Sequence, residues 1–130
     1  MSELHISTNG RGAVEITQQV NELIEGNAKL CHLFVAHTSA SLMITGNEDP
    51  QLLLDVEDYF QANVADANPK YRHNNEGDFD MSGHIRSILT GEAKTIPVMN
   101  GKLALGQFQG LYLYEHRAGK NTRKLIVTLL

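Results

Sequence analysis

One cysteine, Cys31, is all the chain offers toward a disulfide, so no internal bridge can form, which fits a reducing, cytoplasmic compartment. Cys31 lies inside an apolar run and reads as a small core residue rather than a nucleophile. Positive charge is also scarce: 11 Lys and Arg stand against 15 Asp and Glu, a formal net charge of −4. Nucleic-acid binding is driven by clustered Lys and Arg, so this balance argues against a nucleic-acid partner. No stretch approaches the ~20 apolar residues of a membrane span, and no basic segment followed by an apolar run opens the sequence. Neither a membrane partner nor a secretory leader is therefore expected. A glycine-rich phosphate cradle is missing, and no Gly-x-Ser-x-Gly elbow surrounds Ser39 or Ser41 to make either a nucleophile. With no repeat, low-complexity tract or linker, the expectation is one domain over residues 1–130, long enough to fold without staples.

Residue periodicity gives a mixed organisation. Leu4 to Thr8 alternates as a strand does, and Asn9-Gly10-Arg11-Gly12 signals a turn. From Thr17, read as an N-cap, Val20, Leu23 and Ile24 recur at helical spacing toward Gly26. Lys29 to Ala36 reads as a buried strand, followed by a further strand through Leu42, Met43 and Ile44. Asp49-Pro50 starts a helix expected to reach about Asn63, with Leu52, Leu53, Val56 and Phe60 as its apolar face and Asp55, Glu57 and Asp58 solvated. A shorter helix from about Met81 to Thr90 has Asp80 at its cap and a stripe of Met81, Ile85, Ile88 and Leu89. Thr95 to Val98, Leu111 to Arg117 and Lys124 to Leu130 are β-like, and Asn100-Gly101 is a tight-turn dipeptide. Without regular strand–helix alternation, this pattern predicts an α+β fold on a mainly antiparallel sheet with about three short helices.

The densest chemistry lies between Tyr71 and His84, where two histidines join Glu76, Asp78 and Asp80. Imidazole and carboxylate together serve a divalent metal or an acid–base pair. Asp80 and His84 are four residues apart and share a helix face, a spacing that suits a simple hydrogen bond or a metal-linked pair. His37-Thr38-Ser39 ends a buried strand, where its side chains could face a cleft or bond local backbone. Glu115 falls in register with Leu111 and Leu113, and a carboxylate on such a face must be paired, protonated or bound to a cation. His116, with Tyr112 and Tyr114 on the opposite face, reads as surface or subunit contact. Arg117, Lys120, Arg123 and Lys124 surround a turn and read as a solvated hairpin tip or an anion site.

Several blocks taken together resemble the YjbQ-like family: His37-Thr38-Ser39-Ala40-Ser41-Leu42, Asn47-Glu48-Asp49-Pro50, Tyr71 to Gly77, Asp80-Met81-Ser82-Gly83-His84-Ile85, Ile96-Pro97-Val98, and Gln109-Gly110 through Glu115-His116-Arg117. The blocks run in order over nearly the whole chain. The resemblance implies a compact α+β domain assembled as a homotrimer, with a polar site at or near subunit contacts. It also implies a secondary thiamine-phosphate synthase, which joins a hydroxymethylpyrimidine diphosphate to a thiazole phosphate. On that reading Glu115, Asp80 and Glu76 are catalytic, and Thr38, Ser39, Asn47 and Gln109 bind a small-molecule substrate; residue type, rather than the resemblance, makes His37, His73 and His84 the expected ligands of a divalent metal ion, zinc first. The chain departs from the family where Gly46-Asn47 replaces the frequent Glu-Asn, and where Gln107-Phe108-Gln109-Gly110 replaces Thr-Trp-Gln-Gly. Two functions stand open: an enzyme, with thiamine-phosphate synthesis as a main or side activity or with metal-assisted hydrolysis or transfer on another substrate, and a non-catalytic trimeric module that binds a metal or metabolite.

Overall fold

The computed structural model describes residues 1–130. Eight strands form in the order β1 (Ser2–Asn9), β2 (Gly12–Glu15), β3 (Leu30–Val35), β4 (Ala40–Gly46), β5 (Ala93–Met99), β6 (Lys102–Leu103), β7 (Gln109–Glu115) and β8 (Lys120–Leu129). Three helices intervene: α1 (Thr17–Asn21) after β2, then α2 (Gln51–Asn63) and α3 (Asp80–Thr90) between β4 and β5. The strands make a five-stranded sheet, β1-β8-β3-β5-β6, and a three-stranded sheet, β2-β7-β4. All pairings are antiparallel, as the α+β reading expects.

Alternation decides which side chains meet. Ile6, Cys31, Leu33, Val35, Leu125 and Val127 from the larger sheet pack against Leu42, Leu111 and Leu113 from the smaller one in one core cluster. Each large aliphatic side chain buried this way contributes about 1.5–3 kcal/mol. The opposite face of the smaller sheet is covered by helices, where Phe60 and Val56 of α2 and Ile85 of α3 meet Tyr114 and Met43. Strand β7 is thus enclosed on both faces, and the tyrosines expected to need a neighbouring subunit, Tyr112 and Tyr114, are buried within the chain itself. The β5–β6 hairpin turns on Asn100 and Gly101 at φ of 54° and 74°, the left-handed pair a two-residue hairpin loop requires.

Several local expectations are corrected. Helix α1 has only five residues and stops before Gly26; Thr17 does not cap it, because its hydroxyl accepts from the Leu111 amide and donates to Glu15. Glu57 is not solvated: it takes both hydrogen bonds of Arg86 Nη1 and the Tyr114 hydroxyl. Helix α3 buries its polar face, Asp80, Ser82, Gly83, Arg86 and Ser87, while Ile88 and Leu89 are 77% and 64% exposed. Gly83 explains part of this, since a Cβ there would lie 3.4 Å from the His116 carbonyl oxygen, so the helix sits directly on β7's end. Lastly, His116 is buried rather than at the surface, and Arg123 is a core residue rather than part of a solvated tip.

Candidate functional site

The site begins with the start of α3. Gly77, at φ 103°, lets the chain turn so that the Asp80 amide reaches the Gly77 carbonyl and the helix starts at Asp80. Helical spacing then brings His84 one turn along the same face, its Nε2 3.0 Å from Asp80 Oδ2. The loop before the helix supplies His73, whose Nε2 lies 2.7 Å from the same oxygen. The two imidazole rings are 5.3 Å apart, and the three donor atoms of His73, Asp80 and His84 all lie within 4.8 Å of one another. Asp80 is 2% exposed, whereas the His73 side chain is 46% exposed, so the carboxylate is the buried anchor and the histidines form its rim.

The loop that carries His73 is tied at several points. The Ala67 amide donates to the Asp78 carbonyl at 3.0 Å, closing its neck. Arg11 donates to Asp66 at 2.7 Å and to the His116 carbonyl at 2.7 Å, and its guanidinium lies 4.7 Å from the Phe79 ring centre. Ser82 also donates to Asp66. Further along the loop, Glu76 accepts from Arg117 Nη2 at 2.9 Å, and the same nitrogen donates to Asp80 Oδ1 at 2.8 Å. Burial alone would raise the Asp80 carboxyl, but the hydrogen bonds from Arg117 and His73 and the charges beside it together hold it below the usual carboxylate range.

His84 Nδ1 lies 3.1 Å from the Thr38 carbonyl and 3.4 Å from Ser39 Oγ. A carbonyl only accepts, so the shorter contact places a proton on Nδ1. His37 does not join the three-donor group; its Nδ1 accepts from the Ser39 amide at 3.0 Å. It shares with His84 an open concavity of about 350 Å³ also lined by Thr38, Ser87, Ile88 and Glu92. Burial lowers the His37 pKa, and Arg123 and Arg117 lower it further.

Glu115 is fully buried and its acceptor positions are filled. Arg123 Nε and Nη2 donate to its two oxygens at 2.7 and 2.8 Å, Thr8 Oγ1 donates at 2.6 Å and the Arg117 amide at 3.0 Å. Of the three fates open to a carboxylate in that register, this one is paired, and no proton-transfer partner reaches it. Asn47 and Gln109 lie elsewhere. The β4–β7 ladder pairs Ala40 with Glu115 at one end and Gly46 with Gln109 at the other, six residues and so roughly 20 Å away. There Asn47 donates to Glu15 at 3.3 Å and Gln109 accepts from the Gly106 amide at 2.7 Å. Sequence reasoning missed Arg11, and took Arg117 and Arg123 only as part of a solvated hairpin tip or anion site, not as partners of Asp80 and Glu115. For Arg123 a signal existed: it shares a strand face with Leu125 and Val127, so an inward-facing guanidinium was available to answer Glu115.

Comparison with known proteins agrees with this fold. The family model described as UPF0047 protein YjbQ-like matches residues 2–130. The UPF0047 protein sll1880 of Synechocystis sp. is 40% identical over 127 residues, covering 95% of this chain and 86% of that one. The UPF0047 protein YjbQ of Salmonella typhimurium is 40% identical over 128 residues, covering 95% and 92%. Among solved structures, a conserved hypothetical protein from Thermus thermophilus superposes with a TM-score of 0.93 at 30% identity over the full length of both chains.

Proposed function

The chain belongs to the YjbQ-like UPF0047 family, and for this member of it we propose a divalent metal centre, zinc by donor type, held by His73, Asp80 and His84 and acting on a small molecule in the adjoining concavity. The observation that carries this reading is the meeting of two imidazole Nε2 atoms on one carboxylate oxygen. With its proton on Nδ1 toward Thr38, a neutral His84 turns a lone pair, not a donor, toward Asp80. Two lone pairs 3.0 Å apart need a cation between them, either a second proton on the ring or a metal. Two nitrogens and one oxygen suit zinc, and three protein ligands leave a coordination position open, as catalytic zinc sites do. The His84–Thr38 hydrogen bond supplies the partner that fixes a ligating imidazole's tautomer.

A bound divalent ion would polarise a substrate oxygen or offset charge on a leaving group. The chain's own residues do the rest. The shared cavity puts His37 beside His84; with its Nδ1 lone pair taken by the Ser39 amide, a neutral His37 carries its proton on Nε2 and can donate a hydrogen bond to a bound substrate. Ser39 and Thr38 hold His37 and His84 in place. Glu115 serves here as an anchor for Arg117 and Arg123 rather than as a base. Thiamine-phosphate synthesis is the reaction the resemblance implies, and a metal that offsets the charge of departing pyrophosphate suits it. The non-catalytic module has one observation in its favour: Glu76, Asp80 and Glu115 are all already engaged by arginine.

We further infer assembly as a homotrimer, supported by the bare apolar positions on α3 and on the outer face of the larger sheet, Leu30, Phe34 and Leu130. Titration of metal-free protein with zinc tests the centre: one equivalent bound per chain is expected, lost in His84→Ala. Equal binding by that variant would sink the reading. Metal binding without turnover of the two thiamine precursors or of phosphate esters would favour the module.

A further inference from the structure

We propose that Arg117 is the positioning residue of the metal centre, aiming Asp80 and latching the His73 loop through a single guanidinium nitrogen; this rests on the metal reading above. Asp80 is almost completely shielded from water, so the direction its two oxygens face is decided by protein partners. Oδ2 faces both imidazoles, and the partner of Oδ1 is Arg117 Nη2 at 2.8 Å. That same nitrogen reaches Glu76 at 2.9 Å, three residues beyond His73 on the loop that delivers it. One atom therefore fixes the carboxylate and closes the segment carrying the exposed histidine. The arginine has a rigid base. Its amide donates to Glu115 Oε2 at 3.0 Å, and Glu115 is clamped by both Arg123 nitrogens and by Thr8. The path runs from the interior of the five-stranded sheet to the donor set, and it gives Glu115 a part in the site without contact with substrate.

Charge and geometry make opposite forecasts for Arg117, which is what makes the proposal testable. A guanidinium beside a divalent ion repels it, so if Arg117 were only a nearby charge, deleting it would tighten metal binding. If it aims Asp80, deleting it frees the carboxylate to turn and loosens binding; partners behind metal ligands typically matter by about 10–100-fold in affinity.

The test is zinc affinity of the full chain, measured by competition with a chromophoric chelator, for wild type, Arg117→Met, Arg117→Lys, Glu76→Ala and His84→Ala, with each melting curve recorded. The proposal expects Arg117→Met to bind about 10–100-fold more weakly, Arg117→Lys to recover part of the loss, and Glu76→Ala to weaken binding less than Arg117→Met. Equal or tighter binding by Arg117→Met overturns it while leaving the metal reading intact. So does a Lys variant no better than Met. If Arg117→Met fails to fold, Glu76→Ala, on an exposed loop, decides: unchanged affinity overturns the latch. Wild-type protein that binds no zinc, or His84→Ala that binds as well, removes the metal reading and this proposal with it.

Discussion

Glu115 stands on β7 in register with two fully buried leucines, and its partners convert a position that would be costly into a fixed one. Burial by itself would raise its pKa, but Arg123, Thr8 and the Arg117 amide together bring it below the ordinary value. Replacing Glu115 by Gln leaves Arg123, itself buried, without its counter-charge. Removing one member of a buried pair typically costs about 3–5 kcal/mol, so Glu115→Gln should lower the urea midpoint severely, and a change under about 1 kcal/mol would contradict the pairing. The residue's oddity was legible in sequence; its solution was not. Glu115 and Arg123 lie on strands of different sheets, and only the packing of those sheets brings them together. The same holds for the metal candidates. Asp80 and His84 follow from helical spacing, but His73 reaches them through a loop whose path depends on Arg11, Asp66 and Arg117. Motif order groups Asn47 and Gln109 with the histidines, and strand register ties Gln109 to Glu115, but the β4–β7 ladder separates them from the histidines within the chain.

At the scale of elements, strands were easier to read than helix faces. Alternation and turn dipeptides located most of the sheet, and Asp49-Pro50 located α2, whose first free amide, Gln51, is met by Asp49 Oδ1 at 3.0 Å. The face of α3 was misread because its stripe of Met81, Ile85, Ile88 and Leu89 looks like a core stripe, whereas Arg86, Ser82 and Ser87 find partners in Glu57, Asp66 and the Ala40 carbonyl. A helix that buries hydrogen-bonded polar groups can leave apolar ones outside, and those need a cover. If the homotrimer proposed above closes over this face, Leu89→Glu should leave monomers in light scattering while the far-ultraviolet circular dichroism is retained. A variant with unchanged mass would place the subunit contact elsewhere.

For the whole molecule, the joint between the smaller sheet and α3 depends on a neutral histidine. His116 is fully buried, its amide bonded to the Ser39 carbonyl and its Nε2 2.8 Å from Ser41 Oγ. Ser41 in turn meets Thr90, whose hydroxyl donates to the Arg86 carbonyl at 2.7 Å. Because that carbonyl only accepts, protons along the chain run from His116 through Ser41 and Thr90, which sets the His116 proton on Nε2. Burial first, and then the charges of Arg86 and Arg11, push the His116 pKa down from 6.5 to about 3. The unfolded chain therefore binds a proton near pH 6.5 that the folded chain refuses until about pH 3, so its contribution is whole above pH 6.5 and lost on acidification, at up to about 1.4 kcal/mol per pH unit. His37, also lowered, acts in the same direction. The lowered carboxylates Glu57, Asp66, Asp80 and Glu115 begin to surrender their contributions only below roughly pH 5, which leaves the window from about pH 6.5 to 5 to the histidines. Urea midpoints measured at pH 7.5, 6 and 5 should fall steadily for the native chain and less steeply for His116→Gln, whatever that variant's stability at pH 7.5. Parallel slopes would mean that the neutral imidazole is not what acid attacks.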